Sequence, residues 1–236
     1  MSNLLNALRA FDRTVDESYY TAKDSGSNEK LEKLFDDLAY TIIYRGHLQI
    51  NGRFDIYVRS VEFYFHTEDK EHDSKFIHDP VMFHRSSIEG EESCNPRFFT
   101  LGHFYLHQFG LDITFEKVGI YRASALIKSF NVVDNSVVFG EQDFREKASS
   151  YIYDYIQFKE SDVESNGDIH IEWIDDEAPV NASLSDRCPR VGIFEYKIDN
   201  GIQTNEKTDK RDNRPWRFYR AEPYNKLSRL LDARKH

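Results

Sequence analysis

The sequence predicts an α+β domain, because helical and strand patterns both occur and do not alternate regularly. Stretches with apolar residues at three- and four-residue spacing open the chain, and the alternating patterns typical of strands dominate after about residue 46. A regular strand–helix–strand alternation, which would indicate a parallel sheet, does not occur. The 236 residues suffice for one large domain with a substantial core.

The first helix is predicted near the start of the chain, with Ser2 or Asn3 as its cap. Its apolar face consists of Leu4, Leu5, Leu8, Phe11, Val15 and Tyr19. A small polar loop comes next at 24–28. We therefore expect an N-terminal helical extension at 1–28 and the main domain at 29–236.

A second helix is predicted over 29–44, ending near Gly46. Asn51-Gly52 then separates two strand patterns, at 47–51 and 54–65, and this dipeptide is a strong signal for a tight hairpin. A single alternation along the second strand would put five side chains on one face: Ile56, Val58, Ser60, Glu62 and Tyr64.

The rest of the chain contains further strand patterns, one helical pattern and an acidic stretch. Strands are predicted at 98–107, 111–116, 122–130 and 167–174, and a helix at 141–159. Residues 160–187 are rich in Asp and Glu. We interpret about 131–187 as an insertion in the domain.

The charge is unevenly distributed along the chain. The net charge is −10, which disfavours broad affinity for nucleic acid. Residues 185–236, however, carry 13 Lys or Arg against 8 Asp or Glu, a net charge of +5. This basic segment has two interpretations, a solvated tail or a local contact with a phosphate backbone.

Two cysteines, Cys94 and Cys188, cannot form a disulfide framework, so a reduced, cytoplasmic protein is expected. The first residues lack the basic region and the apolar region of a signal peptide, so none is expected. No apolar run approaches the roughly 18 residues of a membrane span, so we expect no membrane association.

Four short blocks occur in a fixed order. They are Val61-Glu62-Phe63-Tyr64, Gly102-His103-Phe104-Tyr105, Ala125-Leu126-Ile127-Lys128, and Pro189-Arg190-Val191-Gly192-Ile193 with Pro215-Trp216-Arg217-Phe218-Tyr219 after it. Together they resemble the alkyladenine (3-methyladenine) DNA glycosylase family over about 38–130 and 188–228. The resemblance implies a curved, mainly antiparallel sheet flanked by helices, with a protruding β-hairpin.

The resemblance assigns catalysis to Glu62, which matches the glutamate that activates water in that family. Ser60 stands where the family has a further glutamate. The acidic pair Glu68-Asp69 and the apolar pair Met82-Phe83 continue the match. One carboxylate suffices for this chemistry, because an alkylated base is a good leaving group and the carboxylate both stabilises the sugar cation and accepts the proton of water.

The resemblance also implies a pocket for an extruded base, with Tyr64 and Tyr105 among its walls. His107 stands in place of a second family tyrosine. The family histidine that stacks on the base has two candidates, His72 and His78, since plain counting puts Asp73 at its position.

Phe109 is the candidate for the side chain that fills the space left by the extruded base. Asp112 takes the position of a family asparagine that helps to select the base, or Glu116 does if no gap is introduced. The resemblance implies phosphate contacts by Lys128, Arg190 and Arg217.

These residues support a monofunctional glycosylase that releases alkylated or deaminated purines from double-stranded DNA. No cofactor is implied, and we expect a monomer. The alternative is a catalytically inactive protein of the same fold that binds nucleic acid or a small ligand. Residues 108–114 would make the family hairpin shorter, and this departure and the negative net charge motivate that alternative.

A metal site is the remaining hypothesis for the segment 66–84, which contains His66, His72, His78 and His84 beside several carboxylates. These are suitable ligand types. Their spacings match no known zinc signature, so a charged loop is favoured and no metal is predicted.

Overall fold

The structure, a computed structural model, describes residues 2–19, 27–67, 79, 82, 98–107, 109–137, 143–156, 169–185, 187–199 and 202–221. These residues form mixed helix and antiparallel sheet, which confirms the α+β prediction at that level. The helices are α1 (Asn3–Tyr19), α2 (Ser27–Tyr44) and α3 (Ile152–Ile156), with a 3₁₀ turn at Ser149–Tyr151 before α3. No helix within these ranges is long and apolar enough to cross a membrane.

Most strands belong to one curled antiparallel sheet. In chain order these are β1 (Gly46–Ile50), β2 (Phe54–Thr67), β3 (His103–His107), β4 (Gly110–Thr114), β5 (Tyr121–Asp134), β6 (Lys147–Ala148), β7 (Ile171–Asp175) and β10 (Arg217–Tyr219). The central path runs β3-β4-β5-β2-β1-β7, while β10 pairs with β2 and β6 with β5. A separate hairpin consists of β8 (Phe194–Asp199) and β9 (Ile202–Arg211).

The hairpin predicted at Asn51-Gly52 is confirmed. Leu48 pairs with Ile56 across it. Both turn residues have positive φ, 53° for Asn51 and 66° for Gly52, as a tight turn of this type requires. Both helix predictions are confirmed too, and the Leu5 amide donates to the hydroxyl of Ser2, the predicted cap, at 3.3 Å.

An irregularity in the β2–β5 pairing changes which residues of β2 face the core. Val58 pairs with Phe130, but Ser60 pairs with Ser129 and Val61 with Ile127, so Arg59 is an extra residue. The core positions of β2 accordingly change from even numbers to odd ones: Ile56 and Val58 before it, Val61, Phe63 and Phe65 after it. The prediction of one uninterrupted alternation from 56 to 64 is wrong, because a bulge shifts the pattern by one residue.

Aromatic rings join the helices to the sheet. Phe35 of α2 stacks on Phe63 of β2, with ring centroids 4.4 Å apart, and contacts Trp216 at 5.4 Å. Phe11 of α1 contacts Phe35 and Phe115. The N-terminal helix therefore belongs to the same core as the sheet.

Some elements differ from the sequence predictions. The helix predicted over 141–159 is confirmed at 152–156, with the 3₁₀ turn at 149–151 before it. Residues 147–148 pair with β5 instead, and residues 141–142 and 157–159 lie outside the described ranges. The sequence patterns do not predict the strands β8, β9 and β10. The proposed insertion at 131–187 supplies β6, α3 and β7, and β7 pairs with β1.

Candidate functional site

Five cross-strand neighbours form a row on one face of the sheet. In the strand pairing, Arg217 lies opposite Glu62, Glu62 opposite Leu126, Leu126 opposite Asp112, and Asp112 opposite Tyr105. Directly opposed residues of antiparallel strands place their side chains on the same face. The fold therefore aligns side chains that lie far apart in the sequence.

Glu62 is the centre of this row, and its side chain is fully buried. Its Oε1 accepts a hydrogen bond from the backbone amide of Val191 at 3.1 Å. Its Oε2 accepts one from the Tyr64 hydroxyl at 3.2 Å. The carboxylate is thus held through both oxygens.

Two cations lie beside the same carboxylate. The Lys128 ammonium is 3.4 Å from Oε2, and Nη1 of Arg217 is 3.5 Å from Oε1. Lys128 occupies the irregular step of β5, between Ile127, which pairs with Val61, and Ser129, which pairs with Ser60. These cations offset the cost of burying the Glu62 charge.

Tyr64 lies after Glu62 on the same face and connects it to a second charge cluster. The Arg190 guanidinium carbon lies 4.7 Å from the centre of the Tyr64 ring. Burial raises the pKa of the Tyr64 hydroxyl well above its usual value, and the Glu62 charge adds to this effect. Tyr64 therefore remains a neutral hydrogen-bond donor to the carboxylate.

Tyr105, His107 and Asp112 lie together on the β3–β4 hairpin. The Tyr105 ring stacks with His107 at 5.6 Å and contacts Phe99 at 4.4 Å. His107 Nε2 lies 3.4 Å from Oδ2 of Asp112, and both side chains are buried. Asp112 is opposite Tyr105 in the register, so the hairpin joins these predicted pocket residues.

Phe109 occupies the tip of this hairpin, between His107 and Gly110, which form the last residue pair of the two strands. Its side chain is 58% exposed. Its carbonyl accepts a hydrogen bond from the Ser149 hydroxyl at 2.8 Å. The structure thus places the wedge candidate, Phe109, as an exposed aromatic at a hairpin tip.

Arg190 is not at the surface. Its fully buried side chain donates to Asp79 at 2.5 Å and to Asp212 at 2.7 Å. Burial would lower the pKa of this guanidinium, but the adjacent Asp79 carboxylate outweighs that effect and raises it. The predicted phosphate contact is corrected to a structural ion pair, because both ends of the guanidinium are occupied by carboxylates.

Lys128 and Arg217 lie beside the Glu62 carboxylate, and both side chains are also partly exposed at the surface. Their side chains are 24% and 15% exposed, and each is within ion-pair distance of Glu62. We therefore assign both to the Glu62 site rather than to phosphates.

The two histidine candidates for stacking on the base, His72 and His78, lie outside the described residues, as does most of the 66–84 segment. His66 and Asp79 of that segment are described, and the Asp79 amide donates to His66 Nδ1 at 3.2 Å. Among the residues that the structure describes, no group of three or more His, Cys, Asp or Glu side chains is arranged to hold a metal ion.

Sequence reasoning misses three participants. The Val191 amide lies in a recognised block, but a main-chain donor leaves no side-chain signal. Asp79 and Asp212 are not identified from the sequence, although both contact Arg190. Neither lies in the same strand or turn as Arg190, so no local pattern indicates the pairing.

Comparisons with known proteins give no assignment: no protein-family model matches the chain, and a search of curated proteins finds no match.

Proposed function

We propose that this protein is a monofunctional DNA glycosylase that releases alkylated or deaminated purines, with Glu62 as the residue that activates water. The observation that carries the proposal is the buried Glu62 carboxylate, oriented by the Val191 amide and the Tyr64 hydroxyl. A carboxylate in this setting is a fixed negative charge with a defined direction, which is what stabilisation of a sugar cation requires.

The reaction separates a base from its sugar, with water supplying the new C–O bond. As the N-glycosidic bond breaks, positive charge develops on the sugar and the base leaves with the bonding electrons. An alkylated base leaves as a neutral molecule, whereas a deaminated base leaves as an anion and takes up the proton that Glu62 accepts from water. Glu62 would stabilise that charge and take a proton from the attacking water. Lys128 and Arg217 would hold the carboxylate in position.

The surrounding side chains support a pocket for a planar ligand. Tyr64 and Tyr105 lie on the same face as Glu62, with Leu126 between Glu62 and Asp112 in the register. Two strand spacings, about 10 Å, separate Glu62 and Asp112 along the row. This separation suits a purine whose sugar lies at Glu62 and whose far edge lies at Asp112.

The exposed Phe109 supports duplex DNA as the substrate. A base inside a duplex must be extruded before an enzyme can reach its glycosidic bond. An exposed aromatic at a tight hairpin tip, 58% accessible, is suited to fill the vacated stack. We propose that the protein acts as a monomer on double-stranded DNA, without metal or cofactor.

The test is release of base from duplexes that contain hypoxanthine, ethenoadenine or 3-methyladenine. Wild-type protein should release at least one of these bases, and Glu62→Gln should not. Glu146→Gln, which changes an exposed glutamate, is the matched control and should behave as wild type. Equal release by Glu62→Gln and wild type would exclude the role of Glu62.

A second candidate is a binding module without glycosylase activity, and the ion pairs of Glu62 favour it. Lys128 and Arg217 together balance the Glu62 charge, as in a structural ion-pair network. This candidate predicts folded protein without base release. It also predicts weak DNA association that depends little on salt, because few phosphates would be neutralised.

A further inference from the structure

We propose that His107 is a positioning residue that connects the Phe109 tip of the hairpin to Asp112. The family resemblance gives His107 a place in the wall of the base pocket. Its contacts in the structure give it a different task, because each ring nitrogen faces a different functional residue. The link itself rests on geometry alone, and its effect on base release rests on the proposed function.

The first contact is between the imidazole and the hairpin tip. The backbone amide of Phe109 donates to Nδ1 of His107 at 3.2 Å. An Nδ1 that accepts a hydrogen bond carries no proton, so the neutral ring carries its proton on Nε2. The ring therefore presents an acceptor to Phe109 and a donor in the opposite direction.

The second contact is between that donor side and Asp112. Nε2 lies 3.4 Å from Oδ2, and each side chain is only 5% exposed. At this distance and burial, the Nε2–H dipole attracts the Asp112 carboxylate electrostatically. Asp112 itself is two strands from Glu62 in the same row.

Other groups hold the tip at its main-chain oxygens, whereas the imidazole contacts the Phe109 amide and Asp112. Ser149 donates to the Phe109 carbonyl at 2.8 Å, and the Tyr153 hydroxyl donates to the His107 carbonyl. Both of these contacts end on main-chain oxygens of the tip. A movement of the Phe109 amide would therefore be transmitted to Asp112 through the His107 ring.

Two isosteric substitutions separate the two contacts. Asparagine at 107 places a carbonyl oxygen near the position of Nδ1 and keeps the acceptor for Phe109. Glutamine places an amide N–H near the position of Nε2 and keeps the donor for Asp112. Both substitutions remove the stacking of the ring on Tyr105, so that loss is matched between them.

The experiment measures each contact by its own readout in both variants. Hydrogen exchange at the Phe109 amide reports the tip. A double-mutant cycle with Asp112→Asn, read from the free energy of unfolding, reports the second contact. In His107→Gln we expect the Phe109 amide to exchange its hydrogen roughly fivefold to tenfold faster, while the coupling energy between positions 107 and 112 is kept. His107→Asn should keep the hydrogen-exchange protection of the Phe109 amide and lose the coupling energy to Asp112.

A purely structural role would change both readouts equally in the two variants, and that result would overturn the proposal. Base release from duplexes adds a functional arm, in which His107→Gln should be slower than His107→Asn by roughly fivefold. If wild-type protein released no base, the proposed function would fail while the exchange and coupling measurements would still decide the His107 link.

Discussion

The Val191 amide donates to Oε1 of Glu62 at 3.1 Å, although the Val191 side chain is 61% exposed. The main chain at this exposed turn therefore orients a fully buried carboxylate. Gly192, with φ of 74°, allows the chain to turn immediately afterwards. Because the donor is a backbone group, the orientation of Glu62 depends on the path of the chain and not on the side chain at 191.

Removing the Lys128 charge should slow base release. Lys128→Met deletes the cation 3.4 Å from Oε2 that helps to hold the Glu62 carboxylate in place, and we expect this misplacement to lower the single-turnover rate roughly ten- to hundredfold. Lys128→Arg keeps the charge and should retain most of the rate. Lys33→Met, an exposed lysine of α2, is the control. A Lys128→Met protein as fast as wild type would remove this lysine from the proposed mechanism.

Breaking the buried ion pair of Arg190 should destabilise the fold strongly. Arg190→Met removes the buried guanidinium from between the Asp79 and Asp212 carboxylates and leaves them only the partly exposed Arg214, and a broken buried pair typically costs about 3–5 kcal/mol. Urea unfolding measures this loss. Asp79→Asn keeps an acceptor while removing a charge, so it should cost less. A loss below about 1 kcal/mol for Arg190→Met would contradict the buried placement.

The same cluster should make stability sensitive to acid. Burial alone would raise the pKa of Asp212, but the Arg214 hydrogen bond and the charges of Arg214 and Arg190 hold that pKa below its usual range. A carboxyl with a lowered folded-state pKa contributes stability above its unfolded pKa of about 4, and this stability is lost as the pH falls further.

Asp212→Asn should therefore differ from wild type most at neutral pH and least in acid. The measurement is the free energy of unfolding between about pH 6 and pH 2. Asp209→Asn, an exposed carboxyl of β9, is the control and should show no such convergence. A gap for Asp212→Asn that stays constant over this range would argue against an ionised, paired Asp212.

The N-terminal helix should be essential to the fold. Phe11 is buried against Phe35 and Phe115, so Phe11→Ala should cost about 3–5 kcal/mol in thermal or urea unfolding. Val180→Ala, fully exposed, is the control. If Phe11→Ala were as stable as wild type, the helix would be a dispensable extension and not part of the core.

Local sequence signals predict the elements that depend on local chemistry. The Asn51-Gly52 turn and the apolar face of α1 are specified by neighbouring residues, and both are confirmed. The bulge at Arg59 is not predicted, because it arises from the pairing of β2 with β5 and leaves no mark within β2 itself.

The site shows the same division between local and long-range information. The block around Glu62 can be recognised from sequence, and so can Phe109 at its hairpin tip. The partners of Arg190 cannot be, since Asp79 is 111 positions away in the chain. The resemblance implies a phosphate contact for Lys128. Its position beside Glu62 is not predicted, because that position depends on the same irregular strand pairing.

Phe109 should matter for duplex DNA and not for single strands. Its side chain is exposed at the hairpin tip, so Phe109→Ala removes the group that would fill the vacated stack without disturbing Glu62. We expect release from a duplex to fall roughly tenfold or more, because unstacking a base costs a few kcal/mol. Release from a single strand that carries the same base should be unchanged. Val118→Ala, another exposed apolar residue, is the control. An equal loss on both substrates would mean that Phe109 supports the pocket and does not enter the duplex.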